Sequence, residues 1–332
     1  MSTLYNGNNN NVGKSCTTQL PLARRKQYWS PRMISWNSHV HGSNFEPRPN
    51  DVILATFPKT GSTWLAYLTH LLRTRAKSLE FILDDVVPWI NIARDLGQDL
   101  DGKYFECFMP RLYKSHMPLS SINPGCKYVV TIRSPEKTAI SFFNFFQRMN
   151  RQEVKGKDLT EFIIDGGKLQ GDPEKDRPSI WTYYSEFWAC RDHPSLLIIP
   201  YEDLCEDMIN QLILISSHVL DGGIVSTAVQ NKIKSCSTKD VMGPLETIST
   251  EWCLQQSARI GTCPGNVWDG VLRVCSQPHK VSVIDDRGRT FLQERWNAEM
   301  KPHTGFEDYE SFLAAVRKLN RTKLAMISRA ST

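Results

Sequence analysis

Residues 52–64 read Val-Ile-Leu-Ala-Thr-Phe-Pro-Lys-Thr-Gly-Ser-Thr-Trp, an apolar run that breaks into a turn carrying Lys59, Gly61 and the hydroxyls of Thr60, Ser62 and Thr63. These residue types suit an anion cradle. Backbone N–H groups at a helix start carry partial positive charge, Gly61 allows the backbone close to a ligand, and Lys59 adds a full charge at the same point. Their order argues against the usual nucleoside triphosphate loop, in which the lysine follows the last glycine and precedes Ser or Thr. Here Lys59 precedes Gly61. A second stretch, Gly7 to Gly13 followed by Lys14-Ser15, fails by count: five residues separate its glycines, and no strand precedes it.

The elements that must position this turn follow from apolar patterning. Trp64, Leu65, Leu68, Leu71 and Leu72 recur at helical spacing, so the first strand feeds a helix with one apolar face. A second short apolar segment ends at Lys114-Ser115-His116, and a third, Tyr128 to Ile132, ends at Arg133. Ser134 and Pro135 then form a helix start, Ser as N-cap and Pro at the first helical position, and Ala139, Ile140, Phe142, Phe143 and Phe146 are expected to face inward. A fourth run, Leu196 to Ile199, ends at Pro200-Tyr201-Glu202-Asp203. Strands alternating with helices predict an α/β fold: a central parallel β-sheet flanked by helices, with the ligand site at the carboxyl ends of the strands.

Composition bounds the rest. With 40% hydrophobic and 23% charged residues the chain has material for a sizeable core, and no Pro/Gly/Ser-rich linker divides its 332 residues. We expect a single domain over residues 27–332. The polar residues 1–26, with Asn8 to Asn11 in a row, are expected to form a disordered tail. A net charge of +5 fits an anionic small-molecule ligand, and no Lys/Arg cluster or RNA-binding motif points to nucleic acid. The absence of a long apolar run or an apolar N-terminal signal points to a cytoplasmic protein that does not engage a membrane. Nine scattered cysteines without a Cys-x-x-Cys pair point to reduced thiols and no structural zinc.

Pro-Lys-Thr-Gly-Ser-Thr-Trp resembles the 5′-phosphosulfate loop of cytosolic-type sulfotransferases, which use 3′-phosphoadenosine-5′-phosphosulfate as sulfuryl donor. The resemblance extends over about residues 50–315. Lys114-Ser115-His116-Met117-Pro118-Leu119 is similar to the family's Lys-Thr-His-x-Pro-Leu segment, Arg133 and Ser141 match its 3′-phosphate pair, and Tyr201-Glu202-Asp203 matches a segment whose tyrosine contacts the nucleotide. Thr304-Gly305-Phe306-Glu307-Asp308-Tyr309 resembles the Gly-aromatic-x-x-Tyr element of bacterial-type members. The resemblance implies a P-loop-like sulfotransferase fold, with His116 as catalytic base, Lys59 at the leaving oxygen and Lys114 beside the donor. It further implies donor contacts from Thr60, Gly61, Ser62, Thr63, Trp64 on the adenine, Arg133, Ser141, Tyr201, Ser237 and Arg273. The product would be 3′-phosphoadenosine-5′-phosphate, and no metal is required.

The chemistry agrees with those roles. A leaving phosphosulfate builds charge on its bridging oxygen, so a fixed lysine there stabilises the transition state more than the ground state. The acceptor must lose a proton as it attacks, and histidine titrates near neutrality. Two positions depart from the family pattern. Its Arg-Lys-Gly is Arg273-Val274-Cys275 here, with Arg287 as an alternative, and its Ser-Phe pair is Ser237-Thr238. Residues 80–106 form an acidic run in a basic chain, from which Asp84, Asp85 and Trp89 are expected to line the acceptor pocket and select a cationic acceptor. The acceptor is a small molecule offering a hydroxyl or an amine nitrogen, and the oligomeric state is open. The alternatives are a P-loop kinase using ATP and a non-catalytic nucleotide-binding protein of the same fold.

Overall fold

The four apolar runs pair into one sheet. β1 (Val52–Thr56), β2 (Leu112–Ser115), β3 (Lys127–Ile132) and β4 (Leu196–Pro200) lie parallel in the order β2-β1-β3-β4. The computed structural model describes residues 34–165, 168–171, 178–262 and 283–330. The expected tail, residues 1–26, lies outside them.

Every residue of β1, β2 and β4 is buried, which is why β1 and β4 read as nearly continuous apolar runs rather than as alternating ones, whereas β2 buries the polar Lys114 and Ser115 as well. The pleat divides their side chains between two cores. Ile53, Ala55, Tyr128, Val130, Ile132, Leu196 and Ile198 pack with the helices Pro135–Arg148 and Ile180–Ala189 on one face. Val52, Leu54, Val129, Leu197 and Ile199 pack on the other with Ser62–Thr74 and Met208–Val219. The chain passes from β1 to β2 on one side and then crosses to β3 on the other. The border of β1 and β3 is therefore the switch point, where α/β sheets open a crevice beyond the strand ends. Ala55 aligns with Ser115 and Val130, so three strands end almost level beneath it.

Helix starts supply the rest of the frame. Ser134 caps Pro135–Arg148 by accepting from Lys137 N–H, as the Ser-Pro pair predicts. The helix Ser62–Thr74 starts differently: its N-cap is Gly61, in a left-handed conformation with φ 105°, and no side chain caps it. Its first N–H groups are thus left for a ligand. Among the described residues no helix is long and apolar enough to cross a membrane.

Candidate active site

The turn after β1 is held by its own hydroxyls. Thr60 donates to Phe57 O at 2.7 Å and meets the Thr131 hydroxyl of β3 at 2.9 Å, while Thr56 Oγ1 donates to Ser62 Oγ at 2.6 Å. Lys59 is held at φ 70°, an unusual conformation for a side chain with a Cβ, which costs about 1–3 kcal/mol and must be imposed by its surroundings. Its ammonium lies 4.2 Å from the centroid of the Phe145 ring. At Gly61 a Cβ would stand 2.7 Å from Tyr201 Cδ2, so glycine is required twice, by the backbone angle and by the tyrosine.

His116 follows β2 and reaches back to β1. Its Nδ1 lies 2.7 Å from the carbonyl oxygen of Thr56 and 3.4 Å from Thr56 Oγ1. A carbonyl only accepts, so Nδ1 carries the proton and Nε2 is left with its lone pair, the form a general base needs. The Trp89 ring stands nearly perpendicular to the imidazole, with centroids 4.9 Å apart. Lys114 is buried, and its ammonium lies 4.8 Å from the Trp89 centroid.

Arg133 closes the other side. One Nη donates to Lys59 O at 2.9 Å, and the guanidinium carbon lies 4.3 Å from the Tyr201 centroid. Its Nε is buried without a hydrogen-bond partner, a cost that a bound anion would remove. Tyr184, buried on the helix Ile180–Ala189, fixes the Arg133 peptide from both ends: its hydroxyl donates to Arg133 O at 2.8 Å and accepts from Arg133 N–H at 2.9 Å. Trp64 packs edge-on against Tyr201 at 5.6 Å, and its Nε1 is also buried and unpartnered. Ser141 is half-buried on the helix that Ser134 caps. Thr63 is half-buried in the first turn of the helix Ser62–Thr74. Direct contacts thus form two groups at the strand ends, Lys59, Arg133 and Tyr201 on one side and His116, Trp89 and Lys114 on the other, linked through Thr56, which meets both His116 and Ser62 of the turn.

Ser237, Asp84 and Asp85 have hydrogen-bond partners within the fold. Ser237 ends the helix Thr227–Cys236, with its one hydroxyl proton within reach of Lys234 O at 3.2 Å and of Met208 Sδ at 3.6 Å. Arg273 lies outside the described residues, and its alternative, Arg287, is exposed in the first turn of the helix Asp286–Glu299. The two acidic candidates are used within the fold. Buried Asp84 accepts from the Ser249 hydroxyl at 2.7 Å, and Asp85 accepts from the Tyr104 hydroxyl at 2.7 Å. Among the described residues no group of three or more His, Cys, Asp or Glu is placed to hold a metal ion. Sequence reasoning missed Thr56, Phe145 and Tyr184. Thr56 sits beside the loop and could have been suspected; nothing local marks the other two.

A parallel α/β sheet with a basic, uncapped turn at its switch point defines a phosphate-binding class of protein. The sulfotransferase domain model matches residues 49–241, and the chain belongs to that family. It is 25% identical over 179 residues to human Sulfotransferase 1E1, covering 51% of this chain and 58% of that protein. It is 25% identical over 205 residues to flavonol 4′-sulfotransferase of Flaveria chlorifolia, covering 57% of this chain and 61% of that one. The chain therefore spans about three fifths of the length of these relatives. The fold also matches mouse sulfotransferase SULT7A1 complexed with PAP, with a TM-score of 0.53 and 16% identity over 87% of this chain and 95% of that one. A crystal structure of retinol dehydratase with androsterone and PAP gives a TM-score of 0.54 at 17% identity, over 80% and 84% of the two chains.

Proposed function

We propose that this protein moves a sulfuryl group from 3′-phosphoadenosine-5′-phosphosulfate to a hydroxyl or amine nitrogen of a small-molecule acceptor by in-line displacement. The observation that carries the reading is the bond from His116 Nδ1 to Thr56 O. Thr56 ends the strand that opens into the Lys59 turn, so a base and a charged anion cradle are fixed to one strand end. The residues fit the donor: the uncapped helix start and Lys59 suit its phosphosulfate, the unpartnered Arg133 Nε suits its 3′-phosphate together with Ser141, and the unpartnered Trp64 Nε1 beside Tyr201 suits its base.

The donor supplies an electrophilic sulfur and a phosphate leaving group. Lys59 holds positive charge where the bridging oxygen becomes anionic, and Lys114 adds a second, buried charge near the acceptor side. His116 Nε2 takes the proton of the attacking group, while the Thr56 carbonyl stabilises the imidazolium at Nδ1. Asp84 and Asp85 each accept one hydroxyl hydrogen bond within the fold, from Ser249 and Tyr104, and the Lys114 ammonium already lies by the Trp89 ring, where it would repel a second cation. We therefore assign the pocket an acceptor without a required positive charge.

The test supplies sulfur-labelled donor with a panel of phenols, alcohols and amines. Acceptor-dependent transfer that disappears in His116→Ala is expected. Phosphoryl transfer from ATP to the same panel would overturn the reading.

A further inference from the structure

Glu202 follows Tyr201 at the end of β4 and is buried, with both carboxylate oxygens committed. Oε1 accepts from Ser134 N–H at 3.0 Å, and Oε2 accepts from the Tyr309 hydroxyl at 2.8 Å. Ser134 stands between Arg133 and the helix that carries Ser141, so the carboxylate grips the hinge between the two 3′-phosphate candidates. A carboxylate there gains from the positive end of that helix, yet it also places negative charge near a site for anions. Filling space would not call for an ion at this point. Accepting two hydrogen bonds from two different elements does call for a side chain of this shape.

Tyr309 is the first residue of the helix Tyr309–Ala330 and is itself buried. Eight residues along the same helix, Arg317 donates to Asp203 Oδ1 at 2.7 Å and to Glu206 Oε2 at 3.0 Å. The C-terminal helix therefore holds the Tyr201–Glu206 segment at two points, and through Glu202 one of them reaches Ser134. Tyr184 secures the Arg133 peptide from the opposite side.

We propose that Glu202, set by Tyr309, is a positioning residue for recognition of the donor's 3′-phosphate: it fixes Ser134 and thereby the mutual placement of Arg133 and Ser141. The inference rests on the donor reading above. It gives the Gly-aromatic-x-x-Tyr element a role at the donor site, although neither Glu202 nor Tyr309 need touch the nucleotide.

The experiment measures, by calorimetry, affinities for 3′-phosphoadenosine-5′-phosphate and adenosine 5′-phosphate in wild type, Tyr309→Phe, Glu202→Ala and Glu202→Gln, with a melting curve for each. Tyr309→Phe keeps the buried ring and loses only the hydroxyl. It is expected to cut the preference for the 3′-phosphate about three- to tenfold, the factor associated with one hydrogen bond, while affinity for adenosine 5′-phosphate holds. Glu202→Ala is expected to cut it further. Glu202→Gln, whose amide oxygen can accept from Ser134 and whose amide N–H can donate to the Tyr309 oxygen, is expected to restore most of it. A wild-type preference that survives in folded Tyr309→Phe overturns the inference, as does an equal loss for both nucleotides, which would mark a purely structural contact. A wild type without the preference overturns the donor reading and this inference with it.

Discussion

His116 is defined less by being a histidine than by what holds it. Because Nδ1 meets a carbonyl oxygen at 2.7 Å, the tautomer is set and Nε2 is the basic atom. His116→Ala should therefore lower turnover about 10²- to 10⁴-fold in a stopped assay while leaving donor affinity near wild type by calorimetry. A parallel fall in donor affinity would place the side chain on the donor instead. Gly61 yields a complementary expectation. With φ 105° and Tyr201 Cδ2 2.7 Å from a built Cβ, Gly61→Ala must shift the turn or the tyrosine. Nucleotide affinity should fall at least about tenfold, because the first N–H groups of the helix move with the turn. Lys59, His116, Arg133 and Tyr201 were legible because each sits at a strand end inside a short motif. Phe145 and Tyr184 were not, because each reaches the site from a helix interior, where aromatic residues ordinarily mean core.

The elements themselves were legible for a physical reason: in a parallel sheet covered on both faces nearly every strand residue is buried, so the apolar runs of β1, β3 and β4 mark strands, while β2, with Lys114 and Ser115 in it, is marked more weakly. The helix Ser62–Thr74 follows the same logic, with Leu65, Leu68, Leu71 and Leu72 all buried. Leu68→Ala should cost about 2–5 kcal/mol in urea unfolding, since the leucine lies fully buried against the sheet and neighbouring helices limit collapse. A cost under about 0.5 kcal/mol, typical of surface positions, would contradict that packing. The acidic run shows the limit of reading elements in isolation. Asp84 is buried and accepts from the hydroxyl of Ser249, 165 residues further on. No local pattern carries a partner so distant. The loop expected to offer Arg273 lies outside the described residues.

Across the whole molecule, acid stability should depend on a buried histidine of the helix Ser62–Thr74. His70 is buried and accepts from Arg73 at Nδ1, with Nη2 at 2.8 Å. Burial, then the Arg73 charge, lowers its pKa from 6.5 to about 3. Between those values the unfolded chain binds more protons than the folded one, so stability present above pH 6.5 is lost progressively as pH falls toward 3. From pH 6.5 to 5 the loss is about 2 kcal/mol. His70→Gln, which can still accept from Arg73, should flatten that slope when urea midpoints at pH 7 and pH 5 are compared, and an unchanged slope would contradict the assignment.

The central claim is that the switch point of this sheet is built for an adenine nucleotide carrying both 5′- and 3′-phosphates. Its most direct test is titration calorimetry of wild type and Arg133→Ala with 3′-phosphoadenosine-5′-phosphate, adenosine 5′-phosphate and ATP. A charge-assisted contact contributes about 1.5–3 kcal/mol, so the bisphosphate should bind wild type at least about tenfold more tightly than either other nucleotide, and Arg133→Ala should remove most of that margin. ATP binding as tightly as the bisphosphate, or a margin untouched by Arg133→Ala, would contradict the account.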